Sequence, residues 1–164
     1  MKFAVLVSIA VLVLAGPTRA DDHKMAVGTC DNKPVIMSVS GVTKNRDIMR
    51  QYAKALADSG IYATLRGYYI NNPAPIAVFE GDLPKNHVTL LVRFPCFAHA
   101  KAFWYSEIYQ KQVKPLRVDN DAGDYLVTVY NEIDVPGYMA GKVQDGSFVE
   151  TFDVNPTGSV KQID

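Results

Sequence analysis

Reactive side chains are scarce in this sequence. Its 164 residues include two cysteines, three histidines and one tryptophan. Cys30 and Cys96 are too far apart for a Cys-x-x-Cys pair, and His23, His87 and His99 form no His-x-x-x-His pair, so the usual local metal-ligand spacings are missing. No glycine-rich phosphate loop occurs. Ser106 is in no nucleophile-elbow context and suits a helix cap better. Neither sign of charge dominates: 17 basic residues stand against 17 acidic ones, and subtracting Lys2 and Arg19 with the leader described below leaves 15 against 17. That balance gives no nucleic-acid footprint. After the leader, no apolar run reaches the roughly 20 residues of a membrane span. No usable Asn-x-Ser/Thr acceptor is found, since Asn155 is followed by Pro156.

What is present is an ordinary globular composition, 48% hydrophobic and 21% charged, which excludes disorder throughout. The length suits one domain with appendages. Met1 to Ala20 reads as a secretory signal peptide: Lys2, an apolar core from Phe3 to Ala15 broken by Ser8, then Thr18-Arg19-Ala20 with small residues at the cleavage positions. A membrane anchor is the competing reading, and the apolar core is short for it. The mature chain is thus expected to be secreted or extracytoplasmic (periplasmic in a bacterium), with no membrane attachment after cleavage. Residues 21–33 read as a polar arm, 34–132 as the folded domain and 133–164 as a C-terminal extension.

Pro34 to Val42 alternates as a strand. Thr43 or Asn45 can cap a helix running to Ser59, with Ile48, Met49, Tyr52, Ala55 and Leu56 on its buried side and Gly60 closing it. Ile61 to Ile70, Ile76 to Glu80, His87 to Phe94 and Asp124 to Glu132 read as further strands, with Asn71-Asn72-Pro73 and Gly81-Asp82-Leu83-Pro84 as turns. Between the last two strands lies Phe94 to Arg117, around which the chain is organised. Pro95 ends the strand. Ala98 to Ala102 favours helix, with Ala100, Phe103 and Trp104 on one stripe. Ser106 and Glu107 suit the cap and first turn of a second helix, which Pro115 limits or kinks. The order is β-α-β-β-α-β with a short extra strand, an α+β class. In the extension, Gln144-Asp145-Gly146-Ser147 between Tyr138 to Val143 and Phe148 to Val154 signals a hairpin, followed by a frayed tail from Pro156.

The strand faces differ. One is nearly all apolar: Val35, Met37, Val39; Ile61, Ala63, Leu65; Val88, Leu90, Val92, Phe94; Tyr125, Val127, Val129. It should carry the helices, and a one-residue slip would exchange the faces, so the pattern fixes the register. The other is mixed: Ser38, Ser40; Tyr62, Thr64, Arg66, Tyr68; His87, Thr89, Leu91, Arg93; Leu126, Thr128, Tyr130, Glu132. A second protomer or water can cover such a face.

Several motifs, in order and at matching spacing, resemble the small bacterial family catalogued as domain of unknown function 1330. They are Leu65-Arg66-Gly67, Phe79-Glu80-Gly81-Asp82, Phe94-Pro95, Tyr105-Ser106-Glu107-Ile108-Tyr109-Gln110 and Leu116-Arg117. The likeness covers roughly Pro34 to Glu132. Glu107 departs from it where that family often has proline, and the leader and extension are additional. The family is similar to the dimeric α+β barrel superfamily, so the resemblance implies a ferredoxin-like protomer and a homodimer joined through the mixed sheet face, with Arg66, Thr89, Arg93 and Glu132 on it. In such a sheet the first strand and the strand ending at Phe94 are expected to run parallel. A strand of eight residues spans ~26 Å, whereas the arm from Cys30 to Val35 reaches back about 17 Å. A bridge between Cys30 and Cys96, the pair a secreted chain invites, is then strained unless the arm lies along the sheet edge.

Two functions follow. One is a secreted protein binding a small aromatic or carboxylated organic molecule. The other is a cofactor-independent enzyme (isomerase, cyclase or monooxygenase), as in relatives within the superfamily. Neither needs a cofactor or metal. The expected cavity lies between the apolar sheet face and the helices, with its mouth near Ser106. Glu80, His99, Trp104, Tyr105, Tyr109 and Arg117 are its candidate residues. Arg117 would neutralise an acidic group; Arg66, Arg93 and Arg117 suit either carboxylate clamping or ion pairing with Glu80 or Glu132. Glu80 suits a general base or a turn-lip carboxylate. His99 suits either the cavity or a structural hydrogen bond.

Overall fold

Strand β1 (Val35–Thr43) is the axis of the sheet. It pairs antiparallel with β4 (His87–Phe94) on one side and β5 (Gly123–Asn131) on the other. The short β2 (Tyr68–Tyr69) adds to the outer edge of β4, giving the order β2-β4-β1-β5. This is a computed structural model, and it describes residues 28–143 with the short segment Lys161–Gln162. Its class is α+β. The expected leader at 1–20, most of the arm and the hairpin segment 148–154 lie outside the described residues. Among those described, no helix is long and apolar enough to cross a membrane.

The alternation in β1 sets the layers. Val35 and Met37 are buried, and Val39 faces both Leu90 and Val127 in register. Their face carries the helices. Helix α1 (Arg46–Asp58) starts where Asn45 accepts hydrogen bonds from the backbone N–H groups of Asp47 and Ile48, a cap that satisfies two otherwise orphaned donors. Its Leu56 reaches the core. Helix α3 (Phe97–Tyr105) supplies Ala100 and Phe103. Gly41 continues the β1 face, and the β5 backbone comes so near that a Cβ there would lie 1.9 Å from the carbonyl oxygen of Asp124. Only glycine permits that approach.

β1 and β4 are antiparallel, which corrects the parallel arrangement expected above. Val35 pairs with Phe94, so the beginning of β1 and the end of β4 lie at the same end of the sheet. Cys30, before β1, and Cys96, after β4, are therefore neighbours; they form a disulfide with Cα atoms 5.7 Å apart. In an antiparallel pair, the residues preceding one strand and following its partner meet at the same end.

Three other expectations are corrected. Ile61 to Ile70 is not a single strand. Gly60, at φ 63°, closes α1, and a one-turn helix α2 (Ile61–Thr64) follows. Ile61 and Leu65 are both buried while Ala63 is exposed. Positions i and i+4 satisfy a helical turn as well as strand alternation, so that pattern was ambiguous. Arg66 falls in the turn after α2 with φ 54° and is exposed, so it has no place on a strand face. Strand β3 shrinks to Ala77–Val78 and leaves the main sheet, pairing instead with β6 (Lys161–Gln162). The tail expected to fray from Pro156 otherwise lies outside the described residues. Tyr138 to Val143, expected as a hairpin arm, begins in a 3-10 turn, Gly137–Met139. Val135-Pro136-Gly137 breaks the strand, and the run offers no alternation that a sheet edge could take up.

The helical stretch breaks as its residues suggest. Ser106 Oγ accepts the backbone N–H of Tyr109 at 3.1 Å, capping the next segment. That segment, Ile108–Val113, is a π-helix, and α4 (Lys114–Val118) continues it. Pro115 has no N–H to give to the preceding turn, so an α-helical ladder cannot run through, and a widened turn accommodates the gap. The widening buries Tyr109 and Val113 and leaves Ile108 exposed.

Candidate functional site

The helix-covered side of the sheet is divided along its length. At the end where β1 begins, Val35, Met37, Val92 and Phe94 pack on α3 as a dry core. Phe103 stacks on Tyr62 at 4.8 Å and meets Phe94 at 5.6 Å and Tyr109 at 4.6 Å. Toward the other end the layers part. A cavity of about 1450 Å³ opens between the sheet, α1 and α4, bordered by the connection from Ile70 to Asn86. Native cores are packed with few voids larger than a water molecule, so a space of this size is not a packing defect.

The walls are of two kinds. Val39, Leu90 and Val127 from the sheet and Leu56 from α1 make an apolar floor and side. The lining also carries a polar group: Arg117 of α4, Tyr52 of α1, Tyr109 of the π-helix, and Thr43 and Tyr125 from the ends of β1 and β5. Arg117 is only 8% exposed. Its guanidinium lies over the rings of Tyr125 at 5.3 Å and Tyr52 at 5.8 Å. None of the ion pairs among the described residues involves it. Cation–π contacts hold a buried guanidinium but leave its donors in the plane available. Tyr52 and Tyr109 share a hydrogen bond at 3.3 Å, and Thr43 Oγ1 lies 2.7 Å from the Tyr125 hydroxyl. At the rim stand Arg46, Arg50 and Lys85, with Asp82 as the acidic lining residue among those described. Arg46 donates to Asn86 Oδ1 at 2.9 Å.

The bordering connection is tied down. Asn71 imitates a strand residue: its side chain accepts from the Leu91 N–H and donates to the Thr89 carbonyl, both at 2.8 Å. The Thr89 N–H donates to the carbonyl of Pro73, and the Thr43 N–H to that of Asn86. The rim is thus fixed to β4 and β1 at both ends.

Burial raises the Tyr52 phenol far above its ordinary value, with Tyr109 adding to the effect; burial raises Tyr62 similarly, with Tyr69 adding. Both are held as neutral hydrogen-bonding groups and are unsuited to act as bases. The sign for stability follows. In the unfolded chain these phenols ionise near pH 10; in the folded protein they keep their protons. Their contribution is complete below that pH and is lost above it, by about 1.4 kcal/mol per pH unit for each phenol. Urea midpoints should hold to about pH 9 and then fall, and Tyr52→Phe should shallow the fall. Parallel curves for the two proteins would show that Tyr52 ionises in place.

Of the residues singled out from sequence, Tyr109 and Arg117 line the cavity together. Trp104 stands one layer behind, its ring 5.3 Å from that of Tyr109 and under the Lys114 ammonium. Tyr105 is exposed on the outer side of α3, and Glu80 is exposed in the turn before Gly81. His99 sits at the opposite end of the molecule beside the disulfide. The lining takes in α1 and the Ile70–Asn86 connection and does not include Tyr105, Ser106 or Ile108, so the mouth expected near Ser106 is not part of this cavity. Sequence reasoning missed Tyr52, Thr43 and Tyr125 as a group. The available signal was a polar-tipped ring, Tyr125, in an otherwise aliphatic strand face.

The uncovered face of the sheet carries Ser40, whose hydroxyl is 3.1 Å from Thr89 Oγ1 and 3.3 Å from His87 Nε2. Arg93 on the same face pairs with Glu132 at 2.5 Å. Leu126 and Tyr130 stand 68% and 59% exposed beside them. As for metals, Cys30, Cys96 and His99 are the group among the described residues whose donor atoms come close together, but the two sulfurs are bonded to each other and offer no thiolate. No family model and no curated protein matches this chain.

Proposed function

We propose that this protein is an extracytoplasmic binding protein for a small organic anion with an apolar, aromatic body. The observation that carries this reading is Arg117: a cation nearly removed from water, without an ion-pair partner among the described residues, set in the wall of a cavity with an apolar floor. A buried charge is costly unless paired, so the site is complete when a ligand supplies the anion. Tyr52, Tyr109 and Thr43 add hydrogen bonds, and Val39, Leu56, Leu90 and Val127 take the apolar body. The basic rim favours anion entry. The signal-like leader and the Cys30–Cys96 bridge support an oxidising compartment outside the cytoplasm. Native mass spectrometry of protein purified from its own source tests the reading. A retained carboxylated compound is the expected result; a chain of bare mass that also ignores a panel of aromatic carboxylates overturns it. Conversion of the retained compound on incubation would move the reading to the alternative, a cofactor-independent isomerase, cyclase or monooxygenase.

The assembly belongs to the same proposal: a ferredoxin-like protomer pairing into a dimeric α+β barrel through the uncovered sheet face. The sheet order β2-β4-β1-β5 and the exposed Leu126 and Tyr130 support it, as do the ordered motifs that resemble the domain of unknown function 1330 family. Leu126→Arg or Thr89→Arg should convert a dimer to a monomer in sedimentation velocity. A parent protein that sediments as a monomer at tens of micromolar, roughly the range of weak dimers, removes the barrel reading.

A further inference from the structure

The end of the molecule away from the cavity holds a second chemical group. Cys96 is fully buried and is the N-cap of α3, while Cys30, on the arm, is only half-buried. His99 lies one turn into α3, and its N–H donates to the Cys96 carbonyl at 3.1 Å. The His99 ring nitrogen and both sulfurs lie within 4.8 Å of one another. His99 Nδ1 is buried and has no hydrogen-bond partner among the described residues. Buried polar atoms without partners are rare, and each calls for a reason.

The disulfide is the reason that fits. A divalent sulfur in a disulfide is a poor acceptor, but a thiolate is a strong one. Were the bridge opened, Cys96 Sγ would carry a charge facing the first turn of a nine-residue helix and the imidazole of His99. Both features lower the pKa of a thiol and make it a better leaving group. The two cysteines are also unequal in burial: Cys30 is half-buried and Cys96 is fully buried.

We propose that the Cys30–Cys96 bridge is an exchangeable disulfide, opened by an incoming thiolate at Cys30 Sγ with Cys96 as the leaving thiolate and His99 as the partner of that thiolate. In the first step the external sulfur forms a bond to Cys30 Sγ, the bond between the two protein sulfurs breaks, and its electron pair stays on Cys96. A second external thiolate attacks the external sulfur of the mixed disulfide and releases Cys30. Two thiols are thereby oxidised to one disulfide, the protein bridge is reduced by two electrons, and the two protons are taken up as the protein sulfurs require. Here His99 is a positioning residue: it acts on the outgoing sulfur and not on the attacking one.

Reduced glutathione serves as the probe, with the full mature chain. Acid quenching and peptide mapping should find glutathione on Cys30, in protein whose near-ultraviolet circular dichroism remains native. His99→Leu should shift the exchange equilibrium toward the closed bridge by about threefold at about pH 8 and about tenfold at about pH 9.5, the worth of one pKa unit in a leaving thiol of ordinary value about 8.5. His99→Asn, which keeps a side-chain N–H, should shift it less. A second measurement avoids the bridge: in Cys30→Ser, the thiolate absorbance of Cys96 should titrate below the ordinary cysteine value of about 8.5. Glutathione found on Cys96, a bridge that opens only on unfolding, a His99→Leu equilibrium equal to the parent, or a Cys96 titration at or above the ordinary value would each overturn the assignment.

Discussion

Arg117→Met should leave the protein folded and remove most of its affinity for a carboxylated aromatic probe such as naphthoate. The loss expected is about 1.5–3 kcal/mol, the scale of hydrogen bonds to a charged group, or roughly ten- to hundredfold in Kd. The stability of the unliganded protein should change little. Methionine keeps the volume and the contact with the Tyr52 and Tyr125 rings. It forgoes the cation–π attraction, worth about 2 kcal/mol when desolvated, and it also removes the cost of holding, at 8% exposure, a charge with no ion-pair partner among the described residues. The two effects oppose each other. Calorimetry with the probe and thermal melting without it separate the roles. A collapse in melting temperature would mean that Arg117 is a structural residue, and unchanged affinity would place the anion elsewhere. Arg66→Ala is the matched control: Arg66 is exposed in the turn after α2 and does not line the cavity, so affinity should hold.

Phe103→Ala should cost about 3–5 kcal/mol, the range for deleting a buried aromatic ring, and lower the melting temperature by roughly 10–20 °C. Phe103 is the hub where α3 meets the sheet: its ring touches those of Tyr62, Phe94 and Tyr109, all at ring-pair distances. The cavity left behind would be lined by rings whose backbones belong to separate elements, so little collapse is possible. Such a loss is a large share of the about 5–15 kcal/mol that holds a typical domain together. Phe103→Leu should recover most of it, and Tyr105→Ala, two residues on but exposed, should change stability by less than about 0.5 kcal/mol. Equal losses at positions 103 and 105 would mean that α3 presents a different face to the sheet. Tyr109 borders the cavity and leans on Phe103, so Phe103→Ala should also weaken probe binding, unlike Phe103→Leu.

The sequence by itself determined whatever depends on neighbours along the chain. Alternation in β1, β4 and β5 placed Val35, Met37, Val92 and Phe94 inward and Thr89, Arg93 and Glu132 outward, because successive strand side chains point to opposite faces. The cap at Asn45, the closure at Gly60 and the restart at Ser106 are local matters of donors and φ angles, and each is found where its residue stands, whereas the helical stretch runs on through Pro115 to Val118. Only the tertiary structure decided what depends on distance across the fold. Ile61 and Leu65 fit a strand and a helical turn equally well in one dimension; packing beneath α1 selected the turn and took Arg66 off the sheet. The direction of β4 beside β1 brought Cys30 to Cys96, a pairing that no spacing in the chain expresses. The site has the same origin. Thr43, Tyr52, Tyr109, Arg117 and Tyr125 come from five elements and share no motif, and Arg117 differs from any surface arginine only because rings from α1 and β5 close over it. Burial and the lack of a partner are properties of the folded surroundings, whereas a sequence records the residue alone.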